Sequence, residues 1–133
     1  MVGKFDERPQ VLCVDDEPRV LDGLKLTLRR RFIVLVETEP VAALRTLESV
    51  PAIVAVVSDM RMPGMDGVTF LAQVARMRPR VARILLSGEM GRAVGFNQRE
   101  AGASFHVLSK PCTPEQLIAT MLAAIGQSTA VEQ

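Results

Sequence analysis

A chain of 133 residues suffices for one domain with one core and is too short for two. With 16 Lys and Arg against 15 Asp and Glu, a net charge of +1 excludes the bulk basic field that nucleic-acid binding needs. The apolar fraction of 48% and mean hydropathy of +0.21 suit strands buried on both faces, yet no apolar run approaches the roughly 18 residues of a membrane span. The opening MVGKFDERPQ lacks the apolar stretch of a signal peptide, so a cytoplasmic protein with no membrane contact is expected.

In chain order, the first strand is read at 10–14, with Cys13 as a small core residue, and it runs straight into Asp15-Asp16-Glu17. A helix begins near Pro18, a favoured first-turn position, and is expected to bury Val20, Leu21, Leu24 and Leu28. Arg29-Arg30-Arg31 then sets positive charge against the helix C-terminus. A second strand at 32–37 leads to a helix from Pro40 that presents Ala43, Leu44 and Leu47. The third strand, 53–58, ends at Asp59. The loop Met62-Pro63-Gly64-Met65-Asp66-Gly67, rich in turn residues, then opens a helix with Phe70, Leu71, Val74 and Met77 on one face. The fourth strand, 81–86, ends at Ser87-Gly88.

The segment 90–101 carries Gly91 and Gly95, each costing a helix interior about 1 kcal/mol, and predicts a short, irregular or mobile helix. The fifth strand, 104–108, includes His106, which has no partner at ligand spacing, and ends at Lys110-Pro111. Cys13 and Cys112 likewise form no ligand or redox spacing. Thr113 and Gln116 fit a capping box around Pro114, with Leu117, Ile118, Met121, Leu122 and Ile125 as the stripe and Gly126 as a stop. The domain is therefore expected over 9–126, with 127–133 a tail or the start of a linker.

Five strands alternating with five helices make an α/β chain with a doubly wound, five-stranded parallel sheet, and such sheets gather functional groups outside the carboxyl ends of their strands. Acids, a hydroxyl and an amine all emerge there. Each has an ordinary explanation alone: an acidic pair caps the next helix, a serine ends a strand, a lysine reaches solvent. Their arrival together at successive strand ends is harder to assign to chance. If Asp15, Asp16 and Asp59 converge they carry three negative charges, and two carboxylates about 4 Å apart repel by about 4 kcal/mol at an effective dielectric near 20. Lys110 answers with one positive charge, and a divalent cation would balance the rest. All-oxygen ligands select a hard ion, Mg²⁺ with Mn²⁺ able to substitute, and magnesium favours phosphate oxygens as further ligands. That points to phosphoryl chemistry.

The segments VLCVDDEPRVL, VVSDMRMPGMDG, ILLSG and LSKPCTPEQL, in this order and spacing, resemble the motif set of bacterial response regulator receivers over about residues 9–126. The resemblance implies a flavodoxin-like (βα)5 fold of strand order 2-1-3-4-5. It implies that Asp59 accepts a phosphoryl group from a sensor histidine kinase or phosphotransfer protein. Asp15, Asp16, Asp59 and the backbone carbonyl of Arg61 would hold Mg²⁺, Ser87 would bond a phosphoryl oxygen, and Lys110 would pair with the phosphoryl group and Asp59. Arg61 and Glu89 would flank the path of the hydrolytic water. A cis bond would precede Pro111, and phosphorylation would alter the face made by the fourth helical segment, fifth strand and last helix. Such a domain catalyses only its own phosphorylation and dephosphorylation. LSKPC is similar to receivers joined to cyclic-dinucleotide phosphodiesterase (HD-GYP) domains, so a C-terminal output domain outside this chain, and a homodimer, are compatible with the reading.

One departure matters. Relatives carry Tyr or Phe three residues before the lysine, and this chain has Val107, with Phe105 on the same side of the strand by its period of two. An alternative is therefore a constitutive interaction module with a receiver fold and a weakened switch. A phosphatase with an aspartyl-phosphate intermediate would carry a second Asp at position 61, which is Arg. A nucleotide or flavin carrier would place a glycine-rich cradle where DDEPR stands.

Overall fold

The computed structural model describes residues 6–88 and 105–131, the last four as backbone only. Five strands form one parallel sheet: β1 (Gln10–Val14), β2 (Ile33–Glu37), β3 (Ile53–Asp59), β4 (Ala82–Ser87) and β5 (His106–Ser109), in the order β2-β1-β3-β4-β5. The helices are α1 (Pro18–Leu28), α2 (Pro40–Ser49), α3 (Gly67–Met77) and α4 (Pro114–Val131). The expected helical segment 90–101, with Gly91 and Gly95, lies outside the described residues, as do Glu89 and Ser104.

Alternation along each strand builds two apolar layers. Leu12, Val14, Val56 and Leu85 face Ala43 and Leu47 of α2 and Phe70, Leu71 and Val74 of α3. Val11, Cys13, Ala55, Val57, Ile84 and Leu86 face Leu21 and Leu28 of α1 and Leu117, Met121 and Ala124 of α4. This is why the strands read as unbroken apolar runs. Burial also pushes the Cys13 thiol up to about 12, leaving it a neutral core group.

Two helices start where a side chain satisfies a free amide, whereas α1 and α2 open on a proline without a side-chain cap. The Asp66 side chain accepts the Thr69 N–H at 2.8 Å, capping α3. At α4 the expected capping box forms in both directions: the Thr113 N–H donates to Gln116 Oε1 at 2.9 Å and the Gln116 N–H to Thr113 Oγ1 at 3.0 Å.

Some expectations need correction. Val20 and Leu122 are 37% and 40% exposed. Each lies one residue, about 100° of helical rotation, from the deeply buried Leu21 or Met121, so it flanks the stripe. Gly126 does not end α4, which continues to Val131. A glycine weakens a helix by about 1 kcal/mol without stopping it, and no proline follows. No helix among the described residues is long and apolar enough to cross a membrane.

One side chain ties the α2–β3 connection to α3. The Arg78 guanidinium donates to the carbonyls of Leu47 (2.8 Å), Pro51 (2.9 Å) and Ile53 (2.9 Å). Arg78→Ala strips all three carbonyls of a charged donor and should cost about 2 kcal/mol, read as a lower urea midpoint at unchanged m-value.

Candidate functional site

Parallel register decides where the strand ends meet. Val14 of β1 pairs with Ser58 of β3, so Asp15 and Asp59, one step on, leave neighbouring strands at the same height. Asp59 pairs with Leu86 and Ser87 with Ser109, which places Ser87 and Lys110 one step further along β4 and β5. The Lys110 N–H donates to the Ser87 carbonyl at 2.8 Å, extending that ladder past the strand. Lys110–Pro111 is a cis peptide, as the family resemblance implied.

At this rim the Lys110 ammonium donates to Asp59 Oδ1 at 2.5 Å. The other carboxylate oxygen, Oδ2, accepts the Arg61 backbone N–H at 3.2 Å. Among the described residues one cluster comes close enough to hold a metal ion: one oxygen each from Asp15, Asp16 and Asp59, all within 4.8 Å of one another. Asp15 is buried, Asp59 half-buried and Asp16 exposed, so the cluster opens towards solvent from a closed floor. Asp15 does not cap α1. Its Oδ1 accepts the Glu17 N–H at 2.9 Å, while Glu17 caps the helix without a side-chain bond. Burial holds the Asp15 carboxyl above its ordinary range. The Glu17 N–H and Lys110 pull it down, and Asp59 and Asp16 push it up.

Two further groups shape the rim. Glu37, at the end of β2, accepts the Thr46 hydroxyl at 2.6 Å, and its carbonyl accepts the Asp15 N–H at 3.3 Å. A cleft of about 500 Å³ lined by Asp16, Thr38, Pro40, Val41, Pro63 and Met65 adjoins the open side of the cluster. Sequence reasoning missed Ser58, whose buried hydroxyl donates to the Asp59 carbonyl at 2.9 Å, and took Gly67 for a turn residue only. The run of apolar strand residues hides the first; the second has no signal short of the helix's contact with the strand.

The donor set fits a hard dication: three carboxylates, no imidazole or thiolate, and one ammonium to set against three negative charges. The sequence over residues 11–122 matches the family model described as the response regulator receiver domain. The chain belongs to the response regulator receiver family. This receiver is 38% identical over 123 residues to the hydrogenase transcriptional regulatory protein HoxA of Cupriavidus necator, covering 90% of this chain and 25% of that protein. It thus spans about a quarter of the length of that relative. Among solved structures it is similar to a receiver domain protein from Clostridium thermocellum (TM-score 0.82, 27% identity, 92% of this chain and 98% of that one). It is also similar to the signal receiver domain of an HD domain-containing protein from Pseudomonas fluorescens Pf-5 (TM-score 0.81, 26% identity, 98% and 96% covered).

The raised Asp15 carboxyl has a measurable consequence. The folded state holds this proton more tightly than the unfolded chain, so stability present at low pH is lost as pH rises from the ordinary carboxylate value through the raised one. In EDTA at neutral pH, Asp15→Asn should therefore melt above wild type. The gain comes first from sparing the burial of a charge and then from the neighbouring Asp59 and Asp16 carboxylates, and it should fade as pH falls and vanish below about pH 4, the ordinary carboxylate value.

Proposed function

We propose that this receiver is the phosphoacceptor of a two-component relay, taking a phosphoryl group from a phosphohistidine of a sensor kinase or phosphotransfer protein onto Asp59. The observation that carries the reading is the Asp59 carboxylate, half-buried at the rim, bonded to Lys110 and crowded by Asp15 and Asp16. As the bond from phosphorus to the donor nitrogen breaks, a bond to an Asp59 oxygen forms, and the product is an acyl phosphate.

Phosphoryl transfer needs alignment and neutralisation of charge more than covalent help. The Arg61 N–H and the Lys110 ammonium orient the two Asp59 oxygens. Lys110 then pairs with the added phosphoryl group, and the Ser87 hydroxyl bonds one of its oxygens. Asp15, Asp16, Asp59 and the Arg61 carbonyl would hold Mg²⁺, or Mn²⁺ in its place, which would supply neutralisation of charge on the phosphoryl oxygens. The protein acts once on itself and turns over no separate substrate.

The added dianion draws Ser87 inward and alters the face that carries β5 and α4, which would meet an output domain or a second copy. The reading places the protein in the cytoplasm. A second reading, a constitutive module, is favoured by Val107: it and Phe105 pack together into the α2–α3 layer, where relatives carry an aromatic switch residue at position 107. Unchanged β5 amide shifts on phosphorylation would support it.

The chain has no Trp or Tyr, so intact mass is the appropriate readout. With acetyl phosphate and Mg²⁺ the wild type should gain one phosphoryl group. Asp59→Asn should gain none, and EDTA should abolish labelling. Ser87→Ala and Lys110→Ala should each slow it by about tenfold or more. Equal labelling of wild type and Asp59→Asn refutes the assignment.

A further inference from the structure

Gly67 is buried at the first position of α3, and the reason for a glycine there is not conformational. Gly64, three residues earlier, has φ of 85° and needs glycine for its turn; Gly67 lies outside that region. What Gly67 lacks is room. A Cβ there would sit 2.3 Å from the Asp59 carbonyl oxygen, 2.6 Å from Leu85 Cδ1 and 3.0 Å from Met60 Cα. Leu85 can rotate away, but the other two atoms belong to the backbone.

That backbone is pinned on every side. The Ser58 hydroxyl donates to the Asp59 carbonyl at 2.9 Å. The Met60 N–H donates to the Leu86 carbonyl at 3.0 Å, and the Gly67 N–H to the Met60 carbonyl at 2.8 Å. The Arg61 N–H closes on the Asp59 carboxylate. The same short stretch of main chain therefore carries the Asp59 side chain and bears against α3.

We propose that Gly67 is a positioning residue for Asp59: its missing side chain lets the first turn of α3 close on the Asp59–Met60 peptide and hold the carboxylate against Lys110 and the acidic pair. The proposal rests on the reading of Asp59 as phosphoacceptor. Ordinary contact begins near 3.4 Å, so a Cβ at 2.3 Å forces the Asp59 carbonyl or the helix to yield by about 1 Å, and misplacement of that size can slow a reaction by about a hundredfold.

The test uses the full chain and follows acetyl phosphate labelling per folded molecule, Mg²⁺ affinity by amide shifts, the Asp59 carboxyl ¹³C shift and the thermal midpoint. Gly67→Ala should label about a hundredfold more slowly, bind Mg²⁺ more weakly and move the Asp59 shift. Gly64→Ala, strained in the same loop but with nothing within 4 Å of the new Cβ, should lose stability and still label near the wild-type rate. Adding Leu85→Ala frees the side-chain contact and leaves the backbone one, so the double variant should stay slow and decides the matter if the single variant does not fold. A folded Gly67→Ala or double variant that labels like Gly64→Ala overturns the proposal. Collapse of both does so too, by making Gly67 a packing requirement of the whole core. A wild type that does not label sinks the phosphoacceptor reading instead, and the Asp59 carboxyl shift then still reports whether Gly67 places the carboxylate.

Discussion

The carboxyl rim of the sheet carries more negative charge than its own lysine balances. Asp15, Asp16 and Asp59 bring oxygens within 4.8 Å of one another, and one ammonium, from Lys110, is spent on Asp59. Burial of Asp15 raises the cost of that crowding, and the Glu17 amide relieves only part of it. A rim built this way is one whose crowding a divalent cation would relieve. The rest of the molecule can be understood as the frame that keeps these like charges from drifting apart.

The frame is the two-layered core. The strands β1, β3 and β4 are held between α2 and α3 on one face and α1 and α4 on the other, with their side chains sorted alternately to each, while β5 is half-buried and rests on α4. Register turns that sorting into function, since the step from Val14 to Ser58 across β1 and β3 sets Asp15 beside Asp59. Main-chain bonds around residues 58–61 do the finer work, fixing the peptide from which the central carboxylate hangs.

Most of this was legible in the residues. Apolar runs marked the strands within one or two residues, because burial on both faces removes polar alternation, and the four motifs put Asp15, Asp16, Asp59, Ser87 and Lys110 at strand ends. Less legible was which flank of a helix stays wet: Val20 and Leu122 are apolar enough for a core yet sit a third of a turn from one. Gly126 looked like a stop because glycine often ends helices, whereas the chain beyond it had no reason to leave the helix. The contact of Gly67 with Asp59 had no trace in composition or spacing, because it depends on how closely one helix approaches one strand.

The rim draws on β1, β3, β4 and β5, four strands separated in the chain and adjacent in the sheet. No fragment that lacks one of those four strands contains it, so the carboxylate cluster and its lysine come together only once the last strand is in place. A partly folded chain therefore lacks the rim, whichever ligand the rim takes.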